Sequence, residues 1–307
     1  MGDGTPATSF PTGSTPPSRV VQNHTLDSAR WRDFVFRPGD VVISSWAKAG
    51  TTWTQQIVAQ LIWGGEAPRL WDLCAWVDSR LYSRKQMFRR LAAQTTRRSL
   101  KTHLPADALP MSPLARYVYI ARDGRDIAWS WYHHHRNIAP VIYEVTNSLG
   151  GRVGPPLEPP IEPFEEFFRA WLERDGYPLW PFWSHVLSWW QLRAQDNVLL
   201  VHFADLKADL PAAIRRIASF LGVDSYQDRL DEIVHRCSFE YMKAQADKML
   251  PLQDSMSGGA QSFIRQGTIG GWRAALSKES AARYETVARE QLPEDCRRWL
   301  ESGTAGR

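Results

Sequence analysis

The sequence is poor in cysteine and contains no long apolar run. Only three Cys occur among 307 residues, and the spacing of Cys74, Cys237 and Cys296 fits no zinc-binding or redox motif. We therefore expect free thiols in a reducing compartment and a cytoplasmic location. No apolar run reaches the roughly 18 residues of a transmembrane helix, and no charged start precedes an apolar segment at the N-terminus. These absences argue against a membrane-bound or secreted protein.

The excess of positive over negative charge is also small. The formal net charge is +4 at pH 7, and the isoelectric point is near 9.0. Lys and Arg are spread along the chain and form no basic run that alternates with exposed aromatic residues. We therefore expect an anionic small-molecule ligand and no nucleic-acid partner.

Length and composition favour one large domain. A chain of 307 residues with 43% hydrophobic residues can bury a sizeable core. Residues 1–25 are rich in Gly, Pro, Ser and Thr, and we predict that they are disordered, which leaves residues 26–307 as the domain. Two further segments, Asn147–Pro163 and Pro251–Ser262, are predicted to be mobile loops, either lids or disordered inserts.

Short apolar strands alternate with helices along the chain. This order predicts an α/β fold, a single domain whose central parallel sheet is flanked by helices. The predicted strands are Val41–Ser45, Ser99–Thr102, Tyr117–Ala121 and Val198–Phe203. The predicted helices are Thr51–Ile62, Arg125–His135, Phe164–Arg174, Pro181–Ala194, Leu210–Leu221 and Tyr226–Cys237.

The most informative segment joins the first strand to the first helix. It carries one cation, Lys48, the flexible Gly50 and two hydroxyls, Thr51 and Thr52. Such a joint aims backbone N–H groups and the positive end of the helix dipole at one point, where a phosphate or sulfonate can bind. Lys48 precedes Gly50, whereas the G-x-x-x-x-G-K-[ST] loop has Lys after its last Gly. The segment is interpreted as a P-loop-like anion site, although an ordinary turn with a surface lysine fits the same residues.

A Lys and a His end the second predicted strand. Lys101 and His103 lie at its carboxyl end, where ligands bind in open α/β sheets. A His side chain is suited to act as a general base near neutral pH. The alternative is a solvated His in a loop.

Two further segments supply arginine. The third strand runs into Arg122, a turn and a helix that carries Ser130, while Arg265, Gln266 and Gly267 lie in a late Gly-containing loop. Arg is suited to bidentate contact with phosphate. Each segment could instead be a solvated surface loop whose Arg has no ligand.

Two other clusters of ionisable residues are interpreted as structural. His133, His134 and His135 are consecutive on a predicted helix and point in different directions, so we favour structural or substrate-pocket roles over a metal site. Glu165 and Glu166 are adjacent as well, and we expect a solvated helix face there.

The four motifs, in this order and at this spacing, resemble those of the cytosolic-type sulfotransferase family. The resemblance covers most of the chain, from about Asp40 to Arg273. It implies transfer of a sulfonyl group from 3′-phosphoadenosine 5′-phosphosulfate (PAPS), which leaves 3′,5′-adenosine bisphosphate. In that family the Pro-Lys-Ser-Gly-Thr-Thr-Trp loop binds the 5′-phosphosulfate, and this loop matches Ala47–Trp53 here. The Lys-Thr-His segment of the family carries the catalytic base, which corresponds to His103.

The resemblance also assigns the rest of the donor site. It implies that the 3′-phosphate is bound by Arg122, Ser130, Arg265, Gln266 and Gly267. It implies that Trp53, Phe203, Cys237 and Phe239 lie near the adenine.

Four of these positions depart from the family pattern. Ala49 replaces a Ser of the first loop, and Gln266 replaces the Lys that follows Arg265. Phe203 stands where the family often has Tyr, and Cys237 stands where it has Thr. None of these departures removes the base or the main cations, so they bear on donor affinity more than on the reaction.

The reaction that follows is in-line transfer of the sulfonyl group to a hydroxyl or amine of a small, apolar or aromatic acceptor. His103 takes the acceptor proton, Lys48 and the N–H groups of Gly50–Thr52 stabilise the transferring group, and Lys101 assists; no metal is needed. A P-loop-type nucleotide kinase or hydrolase is the alternative enzyme, and a nucleotide-binding scaffold without catalysis is a third reading. The oligomeric state stays open.

Overall fold

The structure is a computed structural model that describes residues 13–66, 69–151, 153–252 and 254–304. Residues 1–12 of the segment predicted to be disordered lie outside these ranges. Within residues 13–25, Thr15 pairs with Met111 through two backbone hydrogen bonds, and the side chain of His24 is buried. This part of the segment is packed against the domain.

Five parallel strands form one sheet in the described part of the chain, in the order β2-β3-β1-β4-β5. The predicted α/β fold with a central parallel sheet is confirmed, and the four predicted strands all occur with ends shifted by no more than two residues. The strands are β1 (Asp40–Ser44), β2 (Cys74–Trp76), β3 (Ser99–Thr102), β4 (Ala115–Ala121) and β5 (Val198–His202).

Helices flank this sheet. The α-helices are α1 (Thr51–Ile62), α2 (Leu70–Leu73), α3 (Arg84–Ala93), α4 (Gly124–Arg136), α5 (Pro140–Ser148), α6 (Phe164–Glu173), α7 (Phe182–Trp190), α8 (Phe203–Ala208), α9 (Leu210–Leu221), α10 (Leu230–Arg236), α11 (Phe239–Ala244), α12 (Ala246–Met249), α13 (Gly259–Phe263), α14 (Lys278–Gln291) and α15 (Glu294–Ser302). Short 3₁₀-helices cover Ser28–Trp31, Ala106–Ala108, Gln227–Arg229 and Gly271–Ala274.

The sheet is covered on both faces, which explains why its strands read as continuous apolar runs. Side chains alternate between the faces of a strand. In β1, Val41 and Ile43 pack into a cluster with residues of α1 and α9, whereas Val42 packs into a second cluster rich in Trp. Every residue of β1 and of β5 is buried.

Several elements differ from the prediction. The edge strand β2 was not predicted, because three residues directly after a four-residue helix carry no periodic pattern. The helix expected over Pro181–Ala194 ends at Trp190, and the one expected over Tyr226–Cys237 begins as a 3₁₀ turn before α10. The segment Pro251–Ser262 contains the start of α13, and Asn147 and Ser148 belong to α5.

Candidate active site

The turn between β1 and α1 has an unusual backbone. Lys48 and Gly50 both have positive φ angles, 67° and 116°, and α1 begins directly at Thr51. A Cβ atom on Gly50 would lie 2.8 Å from Cδ1 of Ile120 and 3.0 Å from Cδ2 of Phe203. Position 50 therefore requires glycine for two reasons: the positive φ angle and the lack of room for a Cβ atom. The first N–H groups of α1 are left without side-chain caps, as a P-loop-like anion site requires.

A single cavity of about 830 Å³ lies at the carboxyl ends of the parallel strands. Four strands each contribute a residue at or just beyond their ends: Lys48 after β1, His103 after β3, Arg122 after β4 and Phe203 after β5. This edge is where ligands bind in open α/β sheets. The sequence motifs, distant along the chain, meet at one place because all five strands run parallel.

His103 is held in one orientation on the cavity wall. Its Nδ1 lies 2.8 Å from the carbonyl oxygen of Ser45, and its ring stacks on Trp180 at 5.8 Å and meets Trp76 edge-on at 5.2 Å. A carbonyl can only accept, so Nδ1 carries the hydrogen and Nε2 carries the lone pair. Burial, followed by the charge of Lys101, holds the pKa of His103 well below its usual value. The ring is therefore a neutral base near pH 7.

Two lysines of the cavity rest on aromatic rings. The Nζ of Lys48 lies 4.0 Å from the ring centroid of Phe263, and the Nζ of Lys101 lies 4.0 Å from that of Trp76. Burial lowers the pKa of Lys48 to about 7, with a further contribution from neighbouring positive charges, and burial lowers the pKa of Lys101 to about 8. An anion placed between these groups would favour their charged forms.

Two arginines and a serine line another part of the same cavity. The Arg122 guanidinium lies 4.3 Å from the ring centroid of Phe203 and donates to the carbonyl oxygen of Thr268 at 2.6 Å, while its buried Nε has no partner among the described residues. Arg265 and Ser130 also line the cavity. These groups can bind a second anion.

Flat aromatic surfaces lie beside these arginines. Trp53 meets Phe203 edge-on at 5.4 Å and donates from its indole to the carbonyl oxygen of Cys237 at 2.7 Å. A Cβ on Gly267, whose φ is 60°, would lie 2.6 Å from Cδ2 of Phe239, so this ring packs directly on the glycine backbone. Trp53, Phe203, Phe239, Gln266 and Gly267 all line the cavity.

The rest of the cavity wall is largely apolar. Both segments predicted as mobile loops contribute to it, through Leu157 and through Leu252 and Met256. Met256 also pairs with Ile138 across the α4–α5 junction. Further apolar wall residues are Trp76, Leu81, Tyr82, Ile142, Val145, Leu179, Trp180 and Phe263.

Comparison with known proteins identifies the family of this chain. The model of the sulfotransferase domain matches residues 38–295. The chain belongs to the sulfotransferase family. It is 29% identical to a glycolipid sulfotransferase of Mycobacterium bovis (strain BCG / Pasteur 1173P2) over 94% of this chain and 96% of that protein, and 28% identical to sulfotransferase 1B1 of Mus musculus over 89% of each chain.

Two solved sulfotransferase-fold structures are similar to this chain. One is retinol dehydratase in complex with androsterone and the inactive cofactor PAP, with a TM-score of 0.67, 24% identity and coverage of 87% of this chain and 84% of that one. The other is mouse sulfotransferase SULT7A1 complexed with PAP, with a TM-score of 0.69, 21% identity and coverage of 90% and 93%. At this identity the likeness concerns the fold.

The predicted family and enzyme class, a PAPS-dependent sulfotransferase, are confirmed by this membership, and the alternative of a P-loop kinase or hydrolase is wrong. Within the described ranges, none of the helices has the length and apolar character needed to cross a bilayer. No three His, Cys, Asp or Glu side chains of the described residues are arranged to hold a metal ion.

Two predicted donor-site residues of this sulfotransferase do not reach the cavity. The side chains of Ala49 and Cys237 are fully buried in the two apolar clusters, and neither lines the cavity. Only the carbonyl oxygen of Cys237 takes part, by accepting from Trp53. The departures from the family pattern at these two positions therefore leave the side chains of the cavity wall unchanged.

Other residues of this sulfotransferase site carried no signal of their own in the sequence. The hydroxyl of Ser45 lies 3.3 Å from Nδ1 of His103 and 2.5 Å from Oγ1 of Thr51, so it links the His103 ring to the start of α1. The carboxylate of Asp126 accepts from the N–H of Gly270 at 2.9 Å. Both residues stand inside the recognised motifs, but nothing in the sequence distinguishes them from their neighbours.

Proposed function

We propose that this chain transfers the sulfonyl group of PAPS to a hydroxyl of an apolar small molecule, with His103 as general base. One observation carries the proposal: a neutral, oriented His, the lysines Lys48 and Lys101 and the arginines Arg122 and Arg265 line one cavity whose remaining wall is largely apolar. A nucleotide-binding scaffold without catalysis would need the cations, but it would not need a base with its lone pair directed away from the protein.

The anion loop and the arginines are proposed to hold the donor. Thr51, Thr52 and the free N–H groups at the start of α1 bind the 5′-phosphosulfate, with Lys48 beside it. Arg122, Ser130 and Arg265 bind the 3′-phosphate, with Gln266 and Gly267 in the same loop. Trp53, Phe203 and Phe239 enclose the adenine, since flat aromatic rings suit a planar base.

The proposed reaction is a displacement at sulfur. The acceptor hydroxyl gives its proton to Nε2 of His103 while its oxygen forms the new bond to sulfur. The bond between sulfur and the 5′-phosphate oxygen breaks on the opposite side, and this oxygen leaves with the electron pair. Lys48 and the loop N–H groups stabilise the charge on that oxygen, and Lys101 stabilises the sulfonyl oxygens.

The apolar wall supports an apolar or aromatic acceptor. Trp76 and Trp180 enclose the ring of His103 on two sides, so an acceptor must approach Nε2 between aromatic surfaces. A water-excluded approach strengthens the electrostatic contacts to the transferring group. The similar proteins named above include a glycolipid sulfotransferase and a complex with androsterone, and a glycolipid and androsterone each have a large apolar part.

The proposal is tested by incubating the full chain with PAPS and a panel of phenols and aliphatic alcohols. Mass spectrometry is expected to detect sulfated product and equimolar 3′,5′-adenosine bisphosphate. Adenosine 5′-phosphosulfate, which lacks the 3′-phosphate, is expected to be a poor donor. Product formation at the same rate from both donors would contradict the roles given to Arg122 and Arg265.

A further inference from the structure

One histidine of the cavity has no role in the mechanism above. His134 lies on α4, four residues after Ser130, and both residues line the cavity. Positions four apart lie on one face of a helix. The ring of His134 meets Phe263 edge-on at 5.4 Å, and the Nζ of Lys48 lies 4.0 Å from the centroid of the same Phe263 ring. His134 is therefore close to the proposed place of sulfonyl transfer.

Among the residues that the structure describes, no protein group satisfies the ring of His134. Its Nδ1 is buried without a partner, and neither ring nitrogen makes a hydrogen bond within the described residues. The neighbours His133 and His135 each have one unpartnered buried nitrogen as well, but neither lines the cavity. Only His134 of the three can complete its hydrogen bonding with a bound small molecule.

The ring is neutral near pH 7. Burial lowers the pKa of His134 well below its usual value, and the charge of Lys48 lowers it further. A neutral imidazole has one N–H and one lone pair. Because a buried N–H without a partner is rarer than an unsatisfied acceptor, the hydrogen belongs on Nε2 and not on the enclosed Nδ1. Nε2 is then a donor on the cavity side.

We propose that His134 is a specificity-determining residue that donates a hydrogen bond to a second oxygen of the acceptor. The acceptor would be an apolar hydroxy compound with one further hydroxyl, ether or carbonyl oxygen besides the hydroxyl that receives the sulfonyl group. In a largely apolar wall, an acceptor without this oxygen leaves the N–H unpaired and binds less well. The inference rests on the proposed function, because it takes the apolar part of the cavity as the acceptor site.

Matched pairs of acceptors test this inference. Isomers of methoxy-2-naphthol carry an ether oxygen that accepts a hydrogen bond but cannot be sulfated, and the corresponding ethyl-2-naphthols have nearly the same size. For each pair, the ratio of kcat/KM is measured with PAPS, and the ratio of dissociation constants is measured by fluorescence in the presence of 3′,5′-adenosine bisphosphate. The unmodified protein is expected to prefer the methoxy compound of at least one pair by about 3- to 10-fold.

Three variants assign the preference to one side chain. His134→Phe keeps a ring of similar size without a donor, and it is expected to bring the ratio close to 1. His134→Gln keeps an N–H donor and is expected to retain part of the preference. His235→Phe is the matched control, because His235 is exposed and does not line the cavity. It is expected to leave the ratio unchanged.

The outcomes separate this inference from the function on which it rests. An unmodified protein that prefers no methoxy isomer, or a His134→Phe variant that keeps the full preference, overturns the role of His134. Absence of turnover with all acceptors, combined with a preserved binding preference, overturns the proposed reaction and leaves His134 as a ligand contact. If His134→Phe does not fold, the unmodified protein and His134→Gln still decide the outcome.

Discussion

At the scale of single residues, one backbone carbonyl decides the chemistry of His103. The carbonyl oxygen of Ser45 accepts from Nδ1, and this contact leaves Nε2 as the basic nitrogen. A second contact fixes the backbone of His103, because Nε2 of His185 lies 3.2 Å from its carbonyl oxygen. The orientation of this proposed base therefore depends on the backbone carbonyl of Ser45 and on the side chains of Trp76, Trp180 and His185.

The substitution His103→Ala is expected to lower turnover by about 10²-fold or more while the affinity for 3′,5′-adenosine bisphosphate stays nearly unchanged. The reason is that the change removes the proposed base but none of the groups that we propose to hold the donor. Steady-state kinetics and calorimetry measure the two quantities, with His235→Ala as control.

Because the pKa of His103 is lowered, kcat/KM of the unmodified protein should not fall near pH 6.5, the usual pKa of His. Near-normal turnover of His103→Ala would show that His103 is not the general base.

Gln266 is a second position where one side chain sets a measurable property. It is exposed, lines the cavity and follows Arg265. Gln266→Lys adds a charge near the proposed 3′-phosphate and is expected to tighten binding of 3′,5′-adenosine bisphosphate by about 0.5–1 kcal/mol. The gain should shrink with salt, because it is Coulombic. Titrations at low and high salt measure it.

The control for this change is Gln195→Lys, which adds the same charge just before the amino end of β5, at the opposite edge of the sheet. It is expected to leave the affinity nearly unchanged. Equal effects of both variants at low salt would mean that residue 266 does not face the phosphate.

At the scale of elements, side-chain hydrogen bonds connect α4 and α6 to parts of the chain that lie 144 and 112 residues away in sequence. Helix α4 is bonded to the loop that contains Gly270, since the carboxylate of Asp126 accepts from the N–H of Gly270. The same carboxylate lies 3.6 Å from Nη2 of Arg122. Helix α6 caps α14, since the carboxylate of Glu165 accepts from the N–H and the hydroxyl of Ser277 at 2.9 and 2.8 Å. The expectation of a solvated helix face at Glu165 is wrong for this reason.

The capping contact predicts unequal effects of two adjacent substitutions. Glu165→Gln is expected to lower the free energy of unfolding by about 1–2 kcal/mol, because a charged acceptor of several hydrogen bonds is lost. Glu166→Gln is the matched control and is expected to change it by less than about 0.5 kcal/mol, since within the described ranges the Glu166 carboxylate makes only a 3.7 Å ion pair with exposed Arg169. Urea unfolding measures both.

The pH dependence of this difference has a definite sign. Burial alone would raise the pKa of Glu165, but hydrogen bonds from Ser280 and Ser277 outweigh it and lower the pKa. A carboxylate with a lowered pKa stabilises the folded state above its unfolded-state pKa, and this contribution is lost as the pH falls through the folded-state value. The gap between the unmodified protein and Glu165→Gln should therefore shrink below about pH 4. A gap that widens with acid would contradict the capping role.

At the scale of the whole molecule, burial in the cavity keeps two lysines from being fully protonated, and neighbouring positive charges add to this effect at Lys48. The pKa of Lys48 is lowered to about 7 and that of Lys101 to about 8, so both are partly neutral near pH 8. A bound anion raises these pKa values again. Donor binding and proton binding are therefore coupled.

This coupling predicts that binding of 3′,5′-adenosine bisphosphate at pH 8 takes up about one proton per site. Calorimetry in buffers of different ionisation enthalpy measures the number. In the control variant Lys48→Arg, whose side chain stays charged at this pH, the uptake should fall. Uptake that is zero in the unmodified protein, or unchanged in this variant, would contradict the coupling through Lys48.

Much of the proposed donor site rests on motifs that the sequence alone displays. The order β1, Lys48, Gly50, α1 and the Arg122–Ser130 spacing are local features, because they depend on strand–loop–helix joints whose residues are adjacent in sequence. The fold class followed from the alternation of apolar strands and helices, and it is confirmed. The short edge strand β2 was not predicted, because three residues are too few to show a periodic pattern.

Side-chain direction and proton position required the tertiary structure. Sequence spacing places Ala49 and Cys237 within the donor motifs, yet packing turns both side chains into the apolar clusters. Likewise, a His at a strand end suggests a base, but only the tertiary structure shows that the Ser45 carbonyl sets its tautomer and that the Trp76 and Trp180 rings flank it. Burial, followed by the charge of Lys101, lowers its pKa. These contacts join residues far apart in the chain, and such contacts leave no local pattern in a sequence.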